Sequence, residues 1–102
     1  MKYDRTQSFK NDYKGLTLAE RELFLKAVRD INKVAGVHRG PGMPAWPAHL
    51  RMKGVQGSSG IYEMTRSFAG PDGRATFEIL NAEGDPVMLW RRVGGHAIFR
   101  KP

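Results

Sequence analysis

The chain has 102 residues, 40% of them hydrophobic, which is typical of one folded domain (residues 1–102) and excludes a disordered chain. It contains no cysteine, which excludes disulfides and thiolate metal sites and is compatible with a reducing compartment. Its net charge of +7, from 17 Lys and Arg against 10 Asp and Glu, favours an anionic partner such as nucleic acid, a membrane surface or an acidic protein.

The first residues and the apolar runs predict where the protein resides. Residues 1–6 contain no apolar signal core. No run approaches the roughly 20 apolar residues that a membrane span needs. We therefore expect a soluble cytoplasmic protein with no membrane partner.

The chain is predicted to begin with a strand and a short helix. Residues 1–7 are interpreted as the first strand. Ser8 has the side chain of an N-cap, and Gly15 is a suitable C-terminal stop for the helix that would follow.

A longer helix is predicted at 18–35. Thr17 and Glu20 have the spacing of a capping box, and Gly36 is a C-terminal stop. Apolar residues recur at steps of three and four and predict one buried helix face: Phe24, Ala27, Val28, Ile31, Val34 and Ala35.

The segment 36–47 is rich in glycine and proline, which excludes a long helix or a central strand. We predict a crossing loop that Met43 and Trp46 anchor to the edge of the core. Alternation resumes at 49–53 and predicts a strand with Leu50 and Met52 on one side. Its polar side would carry His49, Arg51 and Lys53.

Three β-prone runs at 60–66, 72–80 and 87–99 are separated by turn-forming residues, which predicts an antiparallel meander. In the middle run, apolar positions 75, 77 and 79 alternate with polar positions 74, 76 and 78. One face of the sheet should therefore be buried and the other wet. The expected fold class is α+β, a small antiparallel sheet with two N-terminal helices packed on one face, in the order β-α-α-β-β-β.

Basic residues recur on the polar sides of these runs. In a meander they would converge on one face of the sheet: Arg51, Lys53, Arg74, Arg91, Arg92 and His96. Such a cluster repels itself and suits phosphate, which guanidinium binds in bidentate fashion and lysine binds as a point charge. A solvated sheet face explains the same pattern equally well.

Five further side chains have two interpretations each. His96 suits proton transfer on an RNA hydroxyl, although its spacing favours an ordinary surface histidine. Glu63 and Glu78 suit a pair of general acid-base carboxylates, but their basic neighbours favour ion pairs across the sheet. Trp90 and Phe99 suit base stacking, although packing in or beside the core is favoured.

No metal-ligand spacing and no nucleotide-binding fingerprint occurs in the sequence, so no metal and no cofactor are predicted.

Three segments of the C-terminal half resemble motifs of the RelE/ParE superfamily of bacterial toxins. Gly60–Met64 is similar to the family's G-I-[YW]-E-[LM] strand, and Gly73–Phe77 is similar to its R-hydrophobic-x-[FY] strand. Arg92–His96 resembles the R-[IV]-G-T-H ending of several members. The N-terminal half matches the family in the order of its elements.

The resemblance implies a ribosome-dependent endoribonuclease that cuts mRNA, inhibits translation and is silenced by a cognate antitoxin protein. Arg74 matches a strand arginine that stabilises charge on the scissile phosphate, and Lys53 matches a basic strand that contacts this phosphate. His96 falls where members place a group that serves the leaving group or the phosphate. The implied catalytic residues are thus Lys53, Arg74 and His96, and the further candidates for RNA binding are Arg51, Arg91, Arg92 and Phe99.

The superfamily also leaves other functions open. Some branches share the scaffold but poison DNA gyrase and are not nucleases. Several active members have a tyrosine near the position that Phe99 occupies in this chain. A phenylalanine there cannot exchange a proton. A gyrase poison and a non-catalytic nucleic-acid-binding domain are therefore the alternative hypotheses.

Overall fold

A computed structural model of the chain describes residues 2–37, 45–65, 73–80, 84, 86–95, 98 and 100–102. These residues form two α-helices, α1 (Gln7–Lys14) and α2 (Leu18–Val37). They also form five strands: β1 (Lys2–Arg5), β2 (Lys53–Gly54), β3 (Tyr62–Thr65), β4 (Arg74–Leu80) and β5 (Val87–Gly94). No helix among the described residues has the length and apolar character to cross a membrane.

Both helices begin at side chains that bind free backbone N–H groups. In α1 the cap is Thr6 and not the predicted Ser8: Thr6 Oγ1 accepts a hydrogen bond from Phe9 N at 3.0 Å. The same hydroxyl donates to the carbonyl oxygen of Arg91 at 2.7 Å, a tertiary contact that fixes the start of the helix. The capping box of α2 is confirmed, since Thr17 N donates to Glu20 Oε1 at 2.7 Å and Glu20 N donates to Thr17 Oγ1 at 3.1 Å.

The described strands form one five-stranded sheet in the order β1-β5-β4-β3-β2. Strands β2 to β5 pair in antiparallel fashion, as the meander predicted. The sheet is mixed, however, because β1 pairs in parallel with β5, with Lys2 opposite Val87 and Arg5 opposite Trp90. A parallel pair requires a long crossover, and the intervening helices and strands supply one. The α+β class is confirmed, and the sheet differs from the expected antiparallel one at this edge.

The core lies between the helices and one face of the sheet. Phe24, Ala27 and Ile31 are buried there, which confirms the predicted face of α2. Trp46 packs against the core, with its ring centroid 6.1 Å from that of Phe77, whereas Met43 lies outside the described residues. The strands contribute the apolar residues Met64, Ala75, Phe77, Met88, Trp90 and Val93.

The segment 49–53 is not the strand that its alternation predicted. A 3₁₀ turn occupies Ala48–Leu50, and Arg51 has φ 51° and ψ 47°, a left-handed conformation that interrupts any strand. Strand β2 therefore begins only at Lys53. Leu50 is nevertheless fully buried and Met52 packs against the core. Apolar residues two positions apart predicted burial correctly, but this spacing does not distinguish a strand from a turn.

Candidate functional site

The sheet surface opposite the helices, here called the polar face, brings together basic residues from separate strands. One row of the register runs across four strands through Lys53, Glu63, Thr76 and Arg92. Thr65 and Arg74 form the next row on the same side, because side chains two positions apart on a strand share a face. The predicted convergence therefore holds for Lys53, Arg74 and Arg92.

A β-bulge adds Arg91 to the polar face. Thr76 lies opposite Arg92 but Phe77 lies opposite Trp90, which leaves Arg91 as an extra residue on β5. Neighbouring residues of a regular strand point to opposite faces. The bulge removes this alternation, so both arginines lie on the polar face while Trp90 remains buried.

Both of these arginines are paired with carboxylates. Arg92 donates to Asp12 of α1 through Nε at 2.6 Å and through Nη2 at 3.1 Å. Hydrogen bonding to Asp12 raises the pKa of Arg92 above its ordinary value. Arg91 Nη1 lies 2.6 Å from Glu78 Oε2. These contacts hold the guanidinium groups in place and occupy donors that a phosphate ligand would otherwise use.

Asp12 also binds a backbone N–H group of β5, since its Oδ2 accepts a hydrogen bond from Val93 N at 3.1 Å.

We expect Asp12→Asn to lower the free energy of unfolding by about 1–3 kcal/mol. This is less than the roughly 3–5 kcal/mol for breaking a fully buried pair, because the side chains of Asp12 and Arg92 keep some exposure. Urea unfolding would measure this loss. Glu22→Gln on the exposed face of α2 is the control and should change stability by no more than about 0.5 kcal/mol. Equal stability of the two variants would show that the pair is not a structural tie.

Thr76 was expected to face water, but it is fully buried. The last residues of the chain cross the polar face above it. Thr76 Oγ1 donates to the backbone oxygen of Pro102 at 2.9 Å, and Arg91 Nε donates to the same oxygen at 3.2 Å. Arg92 Nη1 donates to the carbonyl oxygen of Lys101 at 3.1 Å. Strand alternation identifies the face of a residue, but it cannot show that a distant segment covers it.

Lys53 and Arg74 differ from the two paired arginines of this face. The Lys53 side chain is 70% exposed, and its Nζ lies 3.5 Å from Glu63 Oε1. Arg74 is half-buried and donates to the carbonyl oxygen of Gly73 at 3.0 Å. Among the described residues, no carboxylate forms an ion pair with Arg74. Strand spacing and rise place the Cα atoms of Lys53 and Arg74 about 12 Å apart, a gap that two long side chains and one phosphate can span.

Apart from two glutamates, the other residues that the sequence singled out are not among the described residues of the polar face. Arg51 is exposed on the turn before β2 and is not part of the strand ladder. Trp90 is buried, with its ring centroid 5.0 Å from that of Phe24, which confirms the core interpretation. His96 and Phe99 lie outside the described residues, so their roles stay predictions.

The two carboxylates of the polar face have the predicted structural role. Glu63 is buried and pairs with Lys53, and Glu78 pairs with Arg91. Ion pairing across the sheet is thus confirmed for both. Within the described ranges, no group of three or more His, Asp or Glu side chains is arranged to hold a metal ion.

A larger groove of about 540 Å³ lies among β1, α1 and α2. Its lining is mainly aromatic and aliphatic, including Tyr3, Phe9, Tyr13 and Leu25. Its lining contains none of the polar-face cations, so this groove is separate from the polar face.

The fold is similar to that of solved bacterial toxins. A histidine-to-glutamine mutant of YafQ from E. coli matches with a TM-score of 0.58 and 15% identity over 93% of this chain and 92% of that chain. The E. coli DinJ–YafQ complex matches with a TM-score of 0.56 and 17% identity over 93% and 92% of the two chains. A YoeB/ParE toxin from Agrobacterium tumefaciens matches with a TM-score of 0.53 and 16% identity over 94% and 99%. No protein-family model and no curated protein matches the sequence. The chain has the fold of the RelE/ParE toxins, as its C-terminal motifs implied.

Proposed function

We propose that the chain is the toxin of a type II toxin–antitoxin pair and that it cuts mRNA on the ribosome. The observation that carries this proposal is the pair of cations on the polar face: the Lys53 side chain is 70% exposed, and Arg74 has no carboxylate partner among the described residues. A guanidinium in such a position suits a phosphate, with which it forms charge-assisted hydrogen bonds. The similarity in fold to a YoeB/ParE toxin supports the toxin role.

The proposed reaction is transesterification within the RNA strand. The ribose 2′-oxygen forms a bond to the adjacent phosphorus while the bond from phosphorus to the 5′-oxygen of the next nucleotide breaks. The 2′-hydroxyl loses a proton and the departing 5′-oxygen gains one. Arg74 and Lys53 would stabilise the added negative charge of the phosphorane. His96, which lies outside the described residues, is the group proposed for proton transfer.

The proposed partners follow from charge and reaction. The net charge of +7 suits ribosomal RNA, and binding to the ribosome should weaken steeply as salt rises. A cognate antitoxin with an acidic, partly disordered segment would match the same charge. In the solved DinJ–YafQ complex, a protein of similar fold is bound to DinJ. These partners would place the protein in the cytoplasm.

Incubation of the purified protein with mRNA, with and without ribosomes, tests the proposal. We expect discrete cuts in mRNA on ribosomes and little or no cleavage of free RNA, because the described site lacks a strong general base and depends on the ribosome to bend the strand. Mapping the 5′ ends of the products would locate the cuts. Intact mRNA together with gyrase-dependent DNA breaks would instead support the gyrase alternative and overturn the nuclease proposal.

A further inference from the structure

The polar face contains a cleft that the proposed cleavage chemistry does not use. It encloses about 320 Å³ between the start of α1, the β2–β3 turn, the bulge of β5 and residues 101–102. Arg74 and Lys53 are not in its lining. The side chains that matter for its chemistry are Ser8, Ser58, Ile61, Arg91, Lys101 and Pro102.

The lining offers three kinds of contact. The hydroxyl groups of Ser8 and Ser58 form no hydrogen bonds with described residues, and the exposed Lys101 forms no ion pair with them. Arg91 is held in place by Glu78 and by the backbone oxygen of Pro102, so its guanidinium is preorganised at the cleft. Ile61 and Pro102 supply an apolar wall. An anion, a polar sugar and a flat apolar group can therefore be bound together.

The charge of the cleft suits a single phosphate. Arg91, Arg92 and Lys101 carry three positive charges, and the carboxylates of Glu78 and Asp12 neutralise two of them. Lys101 then has no carboxylate partner among the described residues. A phosphate group could therefore contact its ammonium group beside the fixed guanidinium of Arg91.

The cleft lies at a distance from Arg74. Tyr62 pairs with Phe77, so Ile61 is level with Glu78. Glu78 is four positions beyond Arg74 on β4, a distance of about 13 Å along a strand. A strand of RNA whose phosphate contacts Arg74 would therefore place a neighbouring nucleotide, and not the scissile phosphate, in the cleft.

We propose that the cleft binds one ribonucleotide of the RNA strand, flanking the position of cleavage. This inference rests on the proposed function and extends it with a subsite for base selection. The base would pack on Ile61 and Pro102, the ribose hydroxyls would bond to Ser8 and Ser58, and the phosphate would contact Arg91 and Lys101.

Titration of the full chain with AMP, GMP, CMP and UMP, followed by the amide resonances of Ser58 and Ile61, tests the proposal without ribosomes. We expect saturable shifts with at least one nucleotide at millimolar concentration, and weaker shifts with inorganic phosphate alone. Ser58→Trp, which fills the cleft, should weaken binding at least about tenfold, equivalent to about 1.4 kcal/mol. Ser59→Trp is the matched control because Ser59 is exposed in the same turn and does not line the cleft.

The outcomes separate this inference from the nuclease proposal. No response to any of the four nucleotides, equal binding by the two tryptophan variants, or loss of binding in Arg74→Ala would overturn the subsite. If the unchanged protein binds a nucleotide that Ser58→Trp does not bind, and yet leaves mRNA on ribosomes intact, this pair of results would support the nucleotide subsite and overturn the nuclease proposal. Cleavage by a protein whose cleft binds no nucleotide would do the reverse.

Discussion

Arg74→Ala is expected to lower the rate of mRNA cleavage on the ribosome by about 10²–10³-fold, the loss typical of one preorganised group that stabilises transition-state charge. Arg74 lies on the polar face and has no carboxylate partner among the described residues, so no described carboxylate competes with the phosphorane for its charge. Single-turnover cleavage of ribosome-bound mRNA would measure the rate. The cleavage rate of Arg74→Lys should lie between those of the unchanged protein and Arg74→Ala, because lysine keeps the charge but loses the bidentate geometry.

Arg29→Ala is the matched control for this experiment. Arg29 is exposed on α2, on the other side of the molecule from the polar face, and its removal changes the net charge by the same amount. It should keep nearly the full rate at moderate salt. Equal losses in the two variants would mean that overall charge, and not the position of Arg74, governs activity. Unfolding midpoints of both variants would show that each is folded.

Phe77→Ala is expected to have the largest effect on stability, with a loss of about 3–5 kcal/mol in the free energy of unfolding. Phe77 is 1% exposed and lies at the centre of an aromatic cluster. Its ring centroid is 5.5 Å from that of Trp90, 5.7 Å from that of Tyr62 and 6.1 Å from that of Trp46. Removal of the ring leaves a cavity that these stiff neighbours cannot fill. Urea unfolding followed by tryptophan fluorescence would measure the loss.

Leu80→Ala at the end of the same strand is the control for the core. Leu80 is 41% exposed, so its truncation should cost no more than about 1 kcal/mol. Phe77→Leu should be less harmful than Phe77→Ala because it keeps most of the buried volume. Similar losses for Phe77→Ala and Leu80→Ala would contradict the position of the core described above.

Local patterns predicted the elements whose determinants lie close together in sequence. The capping box of Thr17 and Glu20 and the apolar spacing of Phe24, Ala27 and Ile31 specify α2 without distant contacts. Alternation in β4 identified Ala75 and Phe77 as core residues. These features depend on neighbours within a few positions, which a single sequence displays directly.

Features that depend on distant contacts were not predictable. The sequence did not predict the ion pair between Asp12 and Arg92, because the two residues are 80 positions apart and belong to different elements. The bulge at Arg91 and the cover over Thr76 arise from how β5 and the last residues meet the sheet. The cation cluster was predicted as a set of positions, but the sequence did not show that Arg91 and Arg92 are paired with carboxylates and that Arg74 has no such partner among the described residues.

The pairing of β1 with β5 has a consequence for biosynthesis. Thr6, at the junction of β1 and α1, bonds to Arg91, 85 positions later. Such high contact order slows folding, and on a nascent chain these early residues have no partner until β5 has been translated. The sheet therefore cannot gain its β1 edge until nearly all of the chain has been synthesised.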